Sequence, residues 1–272
     1  MQYAKQFHTT FESLSRRYGH HRVFDDFVAM TSIALCQSAR RGIGLQQNEQ
    51  EEQTFLEIER RYGRDEIQGP FTDLFAATLH GLEQEKGDWL GKIYSELKLG
   101  NAALGQFFTP FHVAKMMGSI TCGDKEEIQQ TINRAGYLTV SEPTCGSGVM
   151  VIALAEVFRE TGFDPATQLF VVAQDICSTM AGICHIQLSL YGIPALVRCQ
   201  NSLTEESLWG RYTPVYYWLG WPFRLSRQRK KSENEPLVND RNPPPAAIPK
   251  STGVSGQKQY PHRQSLLFGD TL

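Results

Sequence analysis

Short apolar runs alternate with helical patterns through the second half of this chain of 272 residues. Four β-rich runs are predicted as strands: Tyr137–Ser141, Leu169–Ala173, Ala195–Arg198 and Val215–Leu219. The second run is apolar at every position, which is typical of a parallel strand covered on both faces. Helical patterns that begin at Val149 and Ser178 separate the first three runs. This alternation predicts a doubly wound α/β unit.

The first hundred residues show helical spacing and no β-rich run. Val23, Phe24 and Phe27 recur at intervals that place them on one helix face, and later apolar residues repeat the pattern. We therefore predict a helical N-terminal region at 1–100, followed by an α/β domain at 101–223.

The remaining residues, 224–272, differ in composition from the rest. They contain nine Lys or Arg and four Asp or Glu, whereas the whole chain has a net charge of −2. Five of the thirteen prolines lie between Pro236 and Pro249. This composition predicts a polar, basic, disordered tail. Its opening run, Arg224 to Lys231, suits either a solvated surface or contact with phosphates.

Cysteine spacing and hydropathy exclude several classes of protein. The six cysteines form no CxxC pair and no Cys/His cluster, so we expect no metal site and reduced thiols in a cytoplasmic protein. There is no apolar run of about 18 residues, so no transmembrane helix is predicted. The N-terminal segment also lacks the apolar core of a signal peptide.

Three unusual loops follow the predicted strands. Glu142 to Gly148, EPTCGSG, comes after the first strand and leads into a helix. Asp175 follows the second strand, and Asn201 follows the third. In an open α/β sheet, ligands bind beyond the carboxyl ends of the strands. A glycine turn with a downstream acid suits a nucleoside, because the carboxylate can bind the paired ribose hydroxyls.

The glycine loop favours one nucleoside cofactor over another. It does not follow the GxGxxG pattern of NAD-binding loops, and a pyrophosphate would be repelled by Glu142. A carboxylate there suits a ligand with a cationic end and no phosphate. S-adenosylmethionine has an ammonium and a sulfonium at one end and adenosine at the other, and it fits these residues.

A further motif, GQFFTP from Gly105 to Pro110, precedes the sheet. Thr109 and Pro110 read as a helix start, with a hydroxyl cap followed by proline at the first helical position. The two phenylalanines before them fit either a hydrophobic staple or a ligand-facing loop, since ring faces attract cations such as a sulfonium.

Together, GQFFTP, EPTCGSG, QDI and NSL, in this order, resemble the N6-adenine DNA methyltransferases, especially type I restriction-modification M subunits and their plasmid- and phage-borne relatives. The resemblance covers roughly residues 15–210. It implies an S-adenosylmethionine-dependent methyltransferase (Rossmann-like) sheet, truncated here, with DNA as partner. It also implies a set of cofactor-binding residues: Gln106, Phe107, Phe108, Thr109, Pro110, Glu142, Thr144, Cys145, Gly146, Gly148, Asp175, Ile176 and Asn201.

The catalytic motif of that family, (D/N/S)PP(F/Y/W), is degraded in this chain. Pro222 and Phe223 fit its last two positions, whereas Gly220 stands where the polar acceptor for the adenine amine belongs and Trp221 replaces a proline. A second string, Asn242-Pro-Pro-Pro245, lacks the aromatic residue and follows no predicted strand. Strands of the usual seven-stranded sheet and a target-recognition domain are also missing.

Two functions therefore stay open. The first is adenine-N6 DNA methylation, of restriction-modification or orphan type, with a specificity or completing subunit supplying what is missing. The second is a degenerate, non-catalytic member that binds S-adenosylmethionine or DNA. Methyl transfer to RNA or protein uses a similar sheet and is not excluded by these residues.

Overall fold

The computed structural model describes residues 2–100 and 109–234, with side chains described as far as Arg227. Seven helical segments build the first part: α1 Gln2–Tyr18, α2 His20–Gly42, α3 Glu49–Tyr62, α4 Arg64–Glu66, a π-helix Ile67–Phe71, α5 Thr72–Gln84 and α6 Trp89–Glu96. Within 2–100 they are the only regular structure, as predicted from the helical spacing. Phe7, Phe11, Phe24 and Phe27 meet in their core.

The second part alternates helices and strands. In chain order it contains α7 Phe111–Cys122, α8 Lys125–Ala135, β1 Leu138–Glu142, α9 Val149–Glu160, α10 Pro165–Gln168, β2 Leu169–Asp175, α11 Ser178–Leu190, β3 Ala195–Gln200, β4 Ser207–Tyr212, α12 Pro214–Trp218 and α13 Trp221–Asn234. This is a mixed α/β architecture.

The four described strands form one sheet in the order β1-β2-β3-β4. β1, β2 and β3 are parallel, with Glu142 beside Ala173 and Asp175 beside Cys199. The carboxyl ends of the three strands therefore lie at one edge. β4 runs antiparallel to β3 and pairs Tyr212 with Leu196, so β4 ends near the amino edge.

The predicted fourth strand is wrong. Val215 to Trp218 lie in α12, where Pro214 occupies the first helical turn. Proline fits that position because its missing N–H has no helical partner there. The true fourth strand is Ser207–Tyr212, whose first two residues are exposed. Its polar, half-exposed sequence lacks the apolar alternation from which a strand is recognised.

The buried face of α7 consists of small residues. Ala114, Gly118 and Cys122 are buried, whereas Met116, Met117 and Ile120 are exposed. A Cβ on Gly118 would lie 3.3 Å from the Leu154 Cα, so the small residues allow α7 to approach α9 closely. The helix begins at Phe111, with Pro110 at the cap position and no side-chain cap, one residue later than predicted.

The helical region and the sheet share a hydrophobic core. Met180, Ile183 and Ile186 of α11 belong to the same buried cluster as the aromatic residues of α1 and α2. A Cβ on Gly182 would overlap the Val28 Cγ1, which shows how tightly α11 and α2 pack. The boundary predicted at residue 100 therefore separates two kinds of secondary structure that are packed together.

A buried polar network supports this packing. Arg211 on β4 donates to Glu51 on α3 at 2.6 Å and to the Ser32 hydroxyl at 3.0 Å. His185 lies between the Ser32 Oγ, at 3.0 Å, and the Tyr212 carbonyl oxygen, at 3.2 Å. Burial, together with the charge of Arg211, lowers the pKa of His185 to about 3. The imidazole is therefore neutral at physiological pH.

The predicted tail begins inside a helix. α13 runs from Trp221 to Asn234, so the expected boundary at residue 224 falls within its first turn. The expectation of disorder for 235–272 concerns residues outside the described part of the chain. Among the residues that are described, no helix has the length and hydropathy needed to cross a membrane.

Candidate functional site

The EPTCGSG loop turns sharply between β1 and α9. The Cys145 N–H donates to the Gln174 carbonyl oxygen of β2 at 2.7 Å, and the Gly148 N–H donates to the Cys145 carbonyl oxygen at 2.8 Å. Gly146 and Gly148 both have positive φ, 53° and 95°. Glycine adopts this backbone at no steric cost, which explains both glycines in the loop.

Asp175 lies directly against this loop. One of its carboxylate oxygens accepts from the Gly146 N–H at 2.8 Å, and the other accepts from the Cys177 N–H at 2.8 Å. Two backbone donors therefore orient the carboxylate at the end of β2. Each oxygen has a second lone pair available for a further donor, such as a ribose hydroxyl.

The two glycines of the loop face different surroundings. A Cβ on Gly146 would meet no atom within 4 Å, so the backbone there borders open space. A Cβ on Gly148 would lie 2.9 Å from the Cys184 Sγ, so that glycine is needed for packing against α11. The backbone at Gly146 is therefore accessible from its open side, next to the oriented Asp175.

The other predicted loop residues have distinct placements. Glu142 accepts from the Thr144 N–H at 3.2 Å and from its hydroxyl at 3.4 Å, so its carboxylate folds over the turn. Cys145 is buried beneath the loop. A hydrogen bond with Cys184, together with burial, raises the pKa of the Cys145 thiol. Cys145 therefore packs in the hydrophobic core, and its thiol is buried.

Ile176 and Asn201 lie at the ends of β2 and β3. Ile176 is 70% exposed although it is a large apolar residue. The Asn201 Oδ1 accepts from the Leu203 N–H at 2.9 Å and from the Thr204 N–H at 3.3 Å, so it shapes the turn after β3. Leu203, on that turn, is 92% exposed. Exposed apolar surface at this edge suits the face of a flat ring such as adenine.

Residues from the helical region also reach the loop. The Ser147 hydroxyl donates to Asp88 at 2.5 Å, and Gln187 donates to Asp88 at 2.7 Å and to the Ser147 carbonyl oxygen at 2.9 Å. Asp88 is also the N-cap of α6 through the Gly91 N–H. Burial raises the pKa of the Asp88 carboxyl group. The sequence analysis did not identify Asp88 or Gln187 as site residues. The only local signal at Asp88 is that of a helix cap.

Only part of the GQFFTP motif falls in the described residues. Gln106, Phe107 and Phe108 lie outside them. Thr109 and Pro110 line a cavity of about 410 Å³ together with Asp88 and Phe111. Two motif residues therefore share a cavity wall with the carboxylate that holds the glycine loop.

Pro222 and Phe223 are not brought to this edge. Their neighbour Trp221 is fully buried, with its ring 5.2 Å from Tyr137 and 5.5 Å from Phe170, measured between centroids. Tyr137 precedes β1 and Phe170 is the second residue of β2, so Trp221 sits at the amino edge. At about 3.3 Å per residue, the length of β2 separates the two edges by about 20 Å.

Comparison with known proteins finds a family that resembles the central part of the chain. Residues 85–217 match the model of the family described as N-6 DNA Methylase. The matched span includes Asp88, the glycine loop, Asp175 and Asn201, and it ends before Gly220. No curated protein matches the chain. Over residues 85–217, this chain therefore matches the N-6 DNA methylase family.

Proposed function

We propose that this protein binds S-adenosylmethionine at the carboxyl edge of its sheet, as a DNA methyltransferase-type protein of the adenine-N6 class. The observation that carries the proposal is the contact between Asp175 and the Gly146 N–H. This contact joins the acid after β2 to the glycine loop after β1, and open space lies on the outer side of Gly146. The match of residues 85–217 to the N-6 DNA methylase family supports the same conclusion.

The described residues fit this cofactor chemically. Asp175 would bind the ribose hydroxyls, and Ile176 would cover one face of the adenine. Glu142 would attract the ammonium group, since opposite charges attract most strongly at a partly desolvated site. When bound, the cofactor supplies an electrophilic methyl group. Thr109 and Pro110 would close the methionine end beside Asp88.

Orientation of the target base is the step that the described residues do not provide. The adenine amine is a poor nucleophile because its lone pair is delocalised, so it needs hydrogen-bond acceptors that aim it at the methyl group. Gly220 offers no side chain, and Pro222 and Phe223 lie at the opposite edge, about 20 Å away. We therefore propose that the protein binds its cofactor and, by itself, methylates DNA slowly or not at all.

A second candidate function is full methylation of adenine, with the missing acceptor supplied from elsewhere. The free edge of β1 favours it, since β1 has only one strand partner among the described strands. A completing subunit could add to that edge, because an edge strand presents unpaired backbone donors and acceptors. Residues 235–272, which include Asn242 to Pro245, are another possible source.

Two measurements on the full chain test these proposals. Titration calorimetry should show saturable binding of S-adenosylmethionine, and no heat at millimolar cofactor would refute the cofactor proposal. Methyl transfer from labelled cofactor to plasmid DNA, followed by nucleoside analysis, reports catalysis. Methyladenine formed by the purified chain at about one per second or faster would show that the acceptor is already present.

A further inference from the structure

The segment that follows β4, at the amino edge of the sheet, combines exposed aromatic rings with positive charge. Trp218 is 65% exposed and Phe223 is 79% exposed. Arg224 and Arg227, also exposed, follow on the same helix, α13. Phe223 and Arg227 are four positions apart on α13, so they share a helix face, whereas Trp218 ends α12, where it also lines an apolar cavity against α2 and α5. We call these four residues the aromatic–basic surface. Neither the glycine loop nor Asp175 contributes to it, because they lie at the carboxyl edge.

Hydrogen bonds anchor the start of α13, which carries most of the aromatic–basic surface. Gly220, with φ of 66°, makes the turn between α12 and α13. The buried Trp221 then anchors the start of α13, and its indole N–H donates to the Ala166 carbonyl oxygen at 2.9 Å. Arg224 donates to the Thr167 carbonyl oxygen at 2.7 Å. Since Trp221 points inward, Phe223, two residues later on the helix, is turned to solvent.

The charge of this segment has a single sign. Residues 212–232 contain five Arg or Lys and no Asp or Glu. Three of these cations, Arg229, Lys230 and Lys231, belong to α13 beyond the four residues of the surface. The chain as a whole has a net charge of −2, so this positive segment is a local feature. It favours a polyanionic partner.

Exposed rings beside cations are suited to single-stranded nucleic acid. Bases of a single strand expose their faces and can stack on aromatic side chains, while Arg and Lys contact the phosphates. A duplex hides those faces. An anionic membrane would need a continuous apolar helix face turned outward, whereas Phe223 is the one large apolar residue that the described part of α13 exposes, since Trp221 and Leu225 pack into the protein. We propose that the aromatic–basic surface binds single-stranded DNA, with bases stacked on Phe223 and Trp218.

This inference rests on the proposed function only for DNA as the class of partner. It requires neither cofactor binding nor methyl transfer. Because the surface lies about 20 Å from the carboxyl edge, a base stacked there would not be the one presented to the cofactor of the same chain. The surface would instead hold an unpaired strand on the protein.

The test uses the full chain without cofactor. Fluorescence anisotropy measures its binding to labelled oligodeoxythymidine and to a labelled duplex. A separate binding assay uses anionic vesicles of phosphatidylcholine with phosphatidylglycerol. We expect the single strand to bind more tightly than the duplex. Phe223→Ala should weaken binding by about 5- to 140-fold, the effect of one lost stacking contact. Arg227→Gln should reduce the slope of log affinity against log salt by about 0.7.

Two matched control variants distinguish binding at this surface from non-specific binding elsewhere on the protein. Ile120→Ala removes an apolar side chain that is 75% exposed on α7, and Arg60→Gln removes an exposed cation on α3. Both should bind the single strand as the wild type does. Equal affinity for duplex and single strand, binding to vesicles alone, or an unchanged affinity of Phe223→Ala would each overturn the inference. Calorimetry with S-adenosylmethionine reports separately whether the cofactor proposal holds.

Discussion

Asp88 accepts a hydrogen bond from the Ser147 hydroxyl at 2.5 Å, although the two residues are 59 positions apart in the chain. Asp88 caps α6 in the helical region, and Ser147 belongs to the glycine loop after β1. Gln187 of α11 donates to both, through the Asp88 carboxylate and the Ser147 carbonyl oxygen. The conformation of the candidate cofactor loop therefore depends on a residue from the helical region.

Asp88→Asn should weaken the binding of S-adenosylmethionine, because the amide presents donors where Ser147 and Gln187 also donate. We expect a loss of about 1–3 kcal/mol, the usual effect of an unsatisfied buried polar group. Calorimetry on Asp88→Asn, Ser147→Ala and the double variant measures it. Because Asp88 and Ser147 act through the same hydrogen bond, the losses of binding free energy in the two single variants should not add in the double variant. Asp73→Asn, an exposed change on α5, is the control, and fully additive losses would contradict the coupling.

Asp175→Ala should weaken cofactor binding more directly. The change removes the proposed ribose acceptor and also the acceptor of the Gly146 N–H. A charge-assisted hydrogen bond contributes about 1.5–3 kcal/mol, so we expect the dissociation constant to rise by at least tenfold. Calorimetry gives the affinity, and thermal unfolding shows whether the fold is retained. Unchanged affinity in a folded variant would remove Asp175 from the site.

Alanine at the two loop glycines should separate binding from stability. Gly146→Ala puts a methyl group into open space at φ of 53°, so we expect about 1 kcal/mol of strain and a marked loss of cofactor binding. Gly148→Ala brings a Cβ to 2.9 Å from the Cys184 Sγ, which should lower the free energy of unfolding by about 1–3 kcal/mol or more. Urea unfolding and calorimetry distinguish the two. A Gly146→Ala variant that is less stable than Gly148→Ala would contradict the placement of these two glycines.

His185 should make the stability depend on pH. The pKa of His185 is about 3 in the folded protein, below its usual value of 6.5. Between these two pH values the unfolded chain therefore binds a proton at His185 that the folded protein does not bind. The stability is therefore fully present above pH 6.5 and is lost as pH falls toward 3, by about 1.4 kcal/mol per unit. Urea unfolding at pH 7.5 and 5.5 measures this loss. His185→Gln should flatten it, whereas exposed His112→Gln should not.

Gly220→Asn should leave methyl transfer unchanged. The substitution restores a polar acceptor to the degraded motif, and asparagine tolerates the positive φ of 66° at this position. Even so, the new side chain would lie at the amino edge of the sheet, away from the glycine loop. Labelled methyl transfer to plasmid DNA compares the variant with the wild type. A clear rise in rate would show that Gly220 reaches the bound base after all.

The predictions from sequence were accurate where local pattern determines structure. Unbroken apolar character at Leu169 to Ala173 predicted β2, and helical spacing predicted a helical region before the sheet. The motif order predicted the family that residues 85–217 match. Local pattern misled at Val215 to Leu219, because β-branched and aromatic residues there suggested a strand although Pro214 begins a helical turn.

The sequence by itself determined the alternation of strands and helices, the glycine loop and the acid after β2, because each depends on residues close together in the chain. Tertiary structure alone decided which distant residues meet. Asp88 reaches Ser147 because α6 and α11 pack against the loop, and Phe223 lies at the amino edge because β4 turns back antiparallel to β3. Such contacts depend on helix packing and strand direction, which the spacing of residues along a chain does not encode.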